Sequence, residues 1–129
     1  MKQKASAVWL GSLKEGNGTI STGSGALVAN PYSFKTLIEG EQGTNAEELI
    51  GAEHAGCFSM AFSMILGLAG FTPYKIETTA TITLEQKEGG FAITASHLDV
   101  AASIPGLDDA AFQDLAGQAK ADCPVSKLA

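Results

Sequence analysis

A run of 17 residues, Ala55 to Phe71, carries no charged side chain, and it limits what this chain can fold into more than any other feature. Its length reaches the lower bound of a bilayer span, about 17–25 apolar residues. It also contains Gly56, Ser59, Ser63, Gly67 and Gly70, lacks basic flanks and lies between segments that read as strands, so a membrane span is rejected. A helix apolar on every face is instead expected to be central and fully buried. Its glycines and serines suit close contact with another backbone. Thr44, three residues before Glu47, supplies the S/T-x-x-E capping box that opens the helix, and Gly70 with Pro73 closes it.

The segments around this helix have the period of strands. Ala5 to Leu10 and Gly18 to Thr22 form a hairpin across the turn cluster Lys14-Glu15-Gly16-Asn17-Gly18. A third extended piece is expected over Tyr32 to Glu39, broken by Gly40-Glu41-Gln42-Gly43. Ile76, Thr78, Ala80, Ile82 and Leu84 alternate with Glu77, Thr79, Thr81, Thr83 and Glu85, the pattern of a half-buried strand. Lys87-Glu88-Gly89-Gly90 turns it into a second strand, Phe91 to Ala101, which ends at Pro105-Gly106. Asp108 and Asp109 open a last helix with Phe112, Leu115 and Ala119 on one stripe, and Cys123 is the next position on it. Strands, helix, strands, helix reads as α+β. With 129 residues, 45% hydrophobic and 17% charged, residues 1–129 fit a single globular domain.

Fourteen acidic against eight basic residues give a net charge of -6, the wrong sign for neutralising phosphates, so nucleic acid is not an expected partner. All eight basic residues are lysines, and arginine is absent. Met1-Lys2-Gln3-Lys4-Ala5 lacks the apolar stretch of a secretory signal, so a cytoplasmic location is expected. Two cysteines in a reducing compartment are more often redox-active or simply reduced than a structural staple. His54-x-x-Cys57 has i, i+3 ligand spacing, but His97 and Cys123 are scattered and no compact zinc pair forms. His97 reads as an ordinary strand residue. No metal and no bound cofactor are expected.

The segment Thr44-Asn45-Ala46-Glu47-Glu48-Leu49, followed by His54-Ala55-Gly56-Cys57-Phe58-Ser59-Met60-Ala61, resembles the signature helix of the osmotically inducible protein C and organic hydroperoxide resistance (OsmC/Ohr) family. Pro31-Tyr32, Glu39-Gly40-Glu41-x-Gly43-Thr44-Asn45, Gly70-Phe71-Thr72-Pro73 and Cys123-Pro124-Val125-Ser126 match in the same order. The resemblance spans nearly the whole chain and is stronger to the OsmC branch. It implies antiparallel sheets packed around a long buried central helix, in an interlocked homodimer. It also implies a stress-defence thiol peroxidase in which Cys57 attacks an organic hydroperoxide, Cys123 resolves the sulfenic acid as a disulfide, and a dithiol, lipoyl-type in part of the family, reduces it. Members of the family usually continue beyond the second cysteine into one last strand.

The chemistry asks for these residue types independently, since a thiolate is the nucleophile and a nearby thiol captures sulfenic acid. An apolar surround from Phe58, Met60, Ala61 and Phe62 would suit a fatty or aromatic hydroperoxide. Taken alone, a cysteine in an apolar helix is an inert core residue. Cys123 reads either as a buried face residue or, because Pro124 favours the first helical position, as an N-cap whose thiol pKa the helix lowers. The two cysteines are 66 positions apart, and nothing in the sequence alone shows that they meet.

Glu47 matches the family's active-site glutamate and also reads as the returning half of the capping box. On one helix it stands ten residues, about 15 Å, from Cys57, so it would serve the Cys57 of a partner chain. The family's arginine, which pairs with that glutamate and stabilises the thiolate, corresponds to Leu37 here. Lys35, on the expected strand, and His54, one turn before Cys57, are the candidates to replace it, while Glu53 would oppose thiolate formation. The alternative function is an apolar-ligand-binding or stress protein on the same scaffold, its peroxidase chemistry weakened or lost with the arginine.

Overall fold

The computed structural model describes residues 1–38 and 43–128. It comprises two compact units, Met1–Leu49 and Ile50–Ala129. Two antiparallel sheets and helices make the chain α+β, as expected.

In the first unit, β1 (Ala5–Leu10), β2 (Asn17–Thr22) and β3 (Asn30–Tyr32) form an antiparallel sheet with β2 in the middle. Gly18 sits opposite both Trp9 and Tyr32 in the pairing. The two rings approach over it, with centroids 5.4 Å apart. A Cβ at this position would lie 2.8 Å from each ring, so only glycine lets the aromatic pair close over the sheet.

The extended piece expected over Tyr32–Glu39 is corrected: a helix, α1 (Phe34–Ile38), begins two residues after Tyr32. The Thr36 N–H donates to Ser33 Oγ at 3.2 Å, and the Ser33 N–H donates to Thr36 Oγ1 at 2.9 Å. This reciprocal cap satisfies both donors within one turn, and it outweighs the β propensity that suggested a strand. Lys35 and Leu37 therefore do not share a strand face. At about 100° per residue they lie on nearly opposite sides of α1. Glu39 and the break at Gly40-Glu41-Gln42 lie outside the described residues.

The long helix, α2 (Ala46–Leu68), starts one residue later than the Thr44–Glu47 box implies. Asn45 caps it: its Oδ1 accepts the Glu48 N–H at 2.7 Å and its carbonyl the Leu49 N–H at 3.2 Å. Asn is at least as good an N-cap as Thr. Thr44 Oγ1 donates to the Glu48 carboxylate at 3.1 Å instead. Glu47 is thereby released from capping. At the far end, Phe71 N–H bonds Leu66 O and Gly70 N–H bonds Gly67 O, with Gly70 at φ 91. This is the paired closure that glycine permits and that sequence placed there.

In the second unit, α2 and α3 (Asp109–Asp122) cover one face of a long hairpin, β4 (Lys75–Lys87) with β5 (Gly90–Ser103). Asp108 caps α3, accepting the Ala111 N–H at 2.8 Å. A short helix, α4 (Pro124–Leu128), follows directly. The buried stripe of α2 is Gly51, His54, Phe58, Phe62, Ile65 and Leu66, spaced by three and four. It meets Phe112, Leu115 and Ala119 of α3 and Ile76, Leu98 and Val100 of the hairpin. Phe62 and Leu66 are fully buried, each stabilising the core by roughly 1.5–3 kcal/mol. Gly51 brings α2 down onto β4, since a Cβ there would meet Ile82 at 3.2 Å. Ser59 donates to Ala55 O at 2.8 Å and accepts from Thr78 Oγ1 at 2.7 Å.

Within the single chain α2 is buried on one face only. Met60, Met64 and Leu68 are 77%, 56% and 80% exposed. Gly56 and Gly67 on the same side have nothing within 4 Å of a would-be Cβ. One hairpin and one short helix cover only one face of a helix that is apolar all round. By length and composition alone α2 could also cross a membrane; its buried stripe and its hydrogen bond to β4 tie it to the hairpin instead.

Candidate active site

The second unit brings Cys57 and Cys123 together. Cys57 lies on α2 beside the buried stripe and is half-buried. Cys123 is fully buried at the junction of α3 and α4, where its N–H still bonds Ala119 O at 2.9 Å. Their sulfurs are 2.9 Å apart and hydrogen-bonded, and both are free thiols. Phe71, Ile76 and the aromatic stack of Phe58, Phe62 and Phe112 fix α2 and α3 at the spacing this contact needs.

Of the residues expected to surround Cys57, Ala61 packs against the core. Phe58 and Phe62 point into the core, and Met60 is exposed. Helical geometry is the reason, since neighbours in sequence leave a helix about 100° apart.

The electrostatics of the two sulfurs differ. Burial pushes the Cys57 thiol above its ordinary value, the bond with Cys123 adds to this, and the Glu53 carboxylate adds further; the Val125 N–H acts in the opposite sense. Burial also works to raise Cys123. It is outweighed by the hydrogen bond with Cys57, by the N–H groups of Ser126 and Val125 and by the Ser126 hydroxyl, so Cys123 is held below its ordinary value. Cys123 Sγ–H donates to Cys57 Sγ, while the donors gathered around Cys123 favour its charged form more than that of Cys57.

His54 is buried on α2 with both ring nitrogens engaged. Nδ1 lies 2.6 Å from Ser96 Oγ of β5, and Nε2 lies 2.9 Å from Ser126 Oγ of α4. The polar path therefore runs Ser96, His54, Ser126, Cys123, Cys57.

Glu47 belongs to a groove of about 380 Å³ within the first unit. Trp9, Leu13, Tyr32, Phe34 and Leu37 line it with Glu47, which is its one charged lining residue among the described residues. Lys35 is exposed on α1 and does not line it.

The family described as OsmC-like protein matches this sequence over residues 39–129. The chain belongs to that family. It is 52% identical over 126 residues to the peroxiredoxin OsmC of Escherichia coli (strain K12), covering 98% of this chain and 88% of that one. Identity to the organic hydroperoxide resistance protein of Xanthomonas axonopodis pv. citri (strain 306) is 31% over 88 residues, 67% of this chain and 60% of the relative. The crystal structure of the organic hydroperoxide resistance protein OhrB of Bacillus subtilis superposes with a TM-score of 0.72 at 26% identity, covering 97% of this chain and 89% of that one. The OsmC branch fits better than the Ohr branch.

Among the candidate site residues of this OsmC family member, the fold unites Cys57 with Cys123 and seats Glu47 beside Leu37, the position matched to the family's arginine. His54 reaches the sulfurs through Ser126, not by facing Cys57. Sequence reasoning missed Ser96 and Ser126. A signal for Ser126 was present: Pro124 at the first helical position makes Cys123 the N-cap and Ser126 the third residue, from which a side chain reaches back to the cap. Nothing local marked Ser96. Among the described residues no cluster of three metal-binding side chains forms.

Proposed function

We propose that the chain is a cysteine-based peroxidase that reduces organic hydroperoxides to alcohols. The sulfur–sulfur contact of 2.9 Å carries this reading, because it brings the only two thiols of the sequence into disulfide reach. Cys57, the more accessible sulfur, attacks the distal oxygen of ROOH; the O–O bond breaks, ROH leaves and Cys57 becomes a sulfenic acid. Cys123 then attacks the sulfenic sulfur, water leaves and a disulfide forms. An external dithiol returns both thiols. The peroxidase and hydroperoxide-resistance names of the relatives support the reaction class.

The functional form is a homodimer. The exposed Met60, Met64 and Leu68, with Gly56 and Gly67 open beside them, give α2 a second apolar face that another copy would cover. In such a dimer Glu47 of one chain serves Cys57 of the other. A second reading, apolar-ligand binding with weakened peroxide chemistry, is favoured by one observation: the groove holding Glu47 presents Leu37 in place of a cation.

Stopped-flow consumption of tert-butyl and cumene hydroperoxide against hydrogen peroxide, with dithiothreitol as reductant, tests the proposal. Turnover of the organic peroxides that Cys57→Ser abolishes and Cys123→Ser arrests at the sulfenic acid is the expected result. Absence of turnover in the wild type overturns it and leaves the binding protein.

A further inference from the structure

The reaction above uses the two sulfurs and Glu47, but it leaves unused a buried histidine bonded at both nitrogens. His54 holds two serine hydroxyls that stand 42 and 72 positions away in sequence, one on β5 and one on α4. A buried imidazole needs a partner at each ring nitrogen; here both partners are hydroxyls on separate elements, and one of them stands three residues from Cys123. Ser126 is the junction: its hydroxyl stands 2.9 Å from His54 Nε2, and three residues after Cys123 on the first turn of α4 it is among the groups that favour the charged form of that sulfur.

We propose that Ser96, His54 and Ser126 form a chain of hydrogen-bond donors aimed at Cys123, with Ser126 the positioning residue that presents a donor to this sulfur as it resolves Cys57. In this arrangement Ser96 Oγ–H donates to Nδ1, Nε2–H donates to Ser126 Oγ, and Ser126 Oγ–H donates to the sulfur. Each bond polarises the next in the same direction. Histidine orients the serine, because a hydroxyl that accepts from Nε2–H turns its own hydrogen toward Cys123. The inference rests on the resolving role given to Cys123 above.

The step balances. The Cys123 thiolate attacks the sulfur of the Cys57 sulfenic acid, the S–S bond forms and the S–O bond breaks. The departing hydroxide takes up the proton that Cys123 released, giving water. Cys123 is oxidised and the sulfenic sulfur reduced, so no further reagent is needed. The charged groups around the network are Glu53 on α2, which acts on Cys57, and Lys120 and Lys127, which line the solvent groove that Ser126 also borders. On β5, His97 and Asp99, 3.3 Å from each other, line one groove with Ser96 and Lys120.

Thiolate absorbance near 240 nm, titrated in full-length Cys57→Ser protein, isolates Cys123. Adding Ser126→Ala is expected to move its midpoint upward by about one unit, a tenfold loss of thiolate at a given pH. Ser126→Thr, which keeps the hydroxyl, is expected to restore it. An unmoved midpoint in Ser126→Ala, or no restoration by threonine, overturns the proposal. Nitrogen-15 NMR of His54 in unaltered protein gives a test that needs no variant: the Nε2–H tautomer supports the donor chain, and the Nδ1–H tautomer overturns it. In the protein with both cysteines, Ser126→Ala slows decay of a dimedone-trappable sulfenic acid about tenfold at neutral pH and less at high pH; an unchanged decay overturns the link to resolution. If wild type consumes no hydroperoxide, the peroxidase reading fails, while the thiolate titration still judges the donor chain.

Discussion

The Sγ atoms of Cys57 and Cys123 stand 2.9 Å apart, one on α2 and the other where α3 meets α4, although the two residues are 66 positions apart in the chain. A bond between them would close that loop while displacing little else. It would reduce the entropy of the unfolded chain by an amount equivalent to about 4 kcal/mol. Hydroperoxide treatment is therefore expected to remove both thiols of each chain and to raise stability by up to that amount. Urea denaturation of oxidised and reduced protein, with thiol counting in denaturant, checks both. A cross-link between chains instead of within one would contradict the geometry.

The two sulfurs also predict opposite responses to pH. Cys57 is raised above the ordinary thiol value of 9.0, so the fold favours its neutral form. Its contribution to stability is present below 9.0 and is lost as pH rises through the folded-state value. Cys123 is lowered, so its contribution is present above 9.0 and lost as pH falls through its folded-state value. For catalysis the first effect dominates, because attack needs the Cys57 thiolate. The rate of sulfenic acid formation should climb steadily from about pH 7 to pH 9. Glu53→Gln removes a carboxylate that disfavours the thiolate and should accelerate the step about two- to fivefold at neutral pH, the range of an exposed charge interaction. A rate independent of pH in this range would show that another group supplies the anion.

The first turn of α2 gives a stability test that separates two caps. Asn45 accepts the Glu48 N–H, whereas Thr44 makes only a side-chain contact with Glu48. Asn45→Ala should cost about 1 kcal/mol and Thr44→Ala less than half as much, read from urea midpoints at constant m. The reverse order would return the cap, and with it Glu47, to the box expected from sequence.

These two caps show where the sequence was legible. The long alternation of β4, the glycine closure of α2 and the Asp108 cap of α3 all follow local patterns, and all are observed. Errors arose where two local patterns compete within one or two residues: Thr44 against Asn45, and the β-prone Tyr32 against the Ser33–Thr36 cap. Which side of α2 stays open was not legible at all. An all-round apolar helix carries no phase, and only the packing of Phe58, Phe62 and Phe112 fixes it. The meeting of Cys57 with Cys123 entered through family resemblance. The hydroxyl partners of His54 depend on strand register 42 residues away, which no local pattern records.

The open face of α2 makes an assembly prediction. Met60 and Met64 are 77% and 56% exposed, and covering each with another copy would contribute roughly 1.5–3 kcal/mol. Met60→Glu or Met64→Lys would place an uncompensated charge on that face without disturbing the buried stripe. Sedimentation should find wild type dimeric and both variants monomeric, with circular dichroism unchanged. A monomeric wild type would remove the partner from which Glu47 is drawn.

The groove beside Glu47 permits the most demanding test. Leu37 is half-buried there, on the side of α1 away from Lys35, at the position that the family resemblance matches to an arginine. Leu37→Arg would seat a guanidinium within the same groove as Glu47, where its fork can engage the carboxylate and still present a donor outward. A charge-assisted hydrogen bond is worth about 1.5–3 kcal/mol, so the variant should form sulfenic acid about ten- to a hundredfold faster at neutral pH. The gain should vanish when Glu47→Gln is added, because the guanidinium then loses the group that orients it. Leu37→Met, which keeps the apolar volume, serves as the control and should leave the rate unchanged. If Leu37→Arg folds, dimerises and gains nothing, the Cys57 thiolate of this chain does not depend on a cation in the groove.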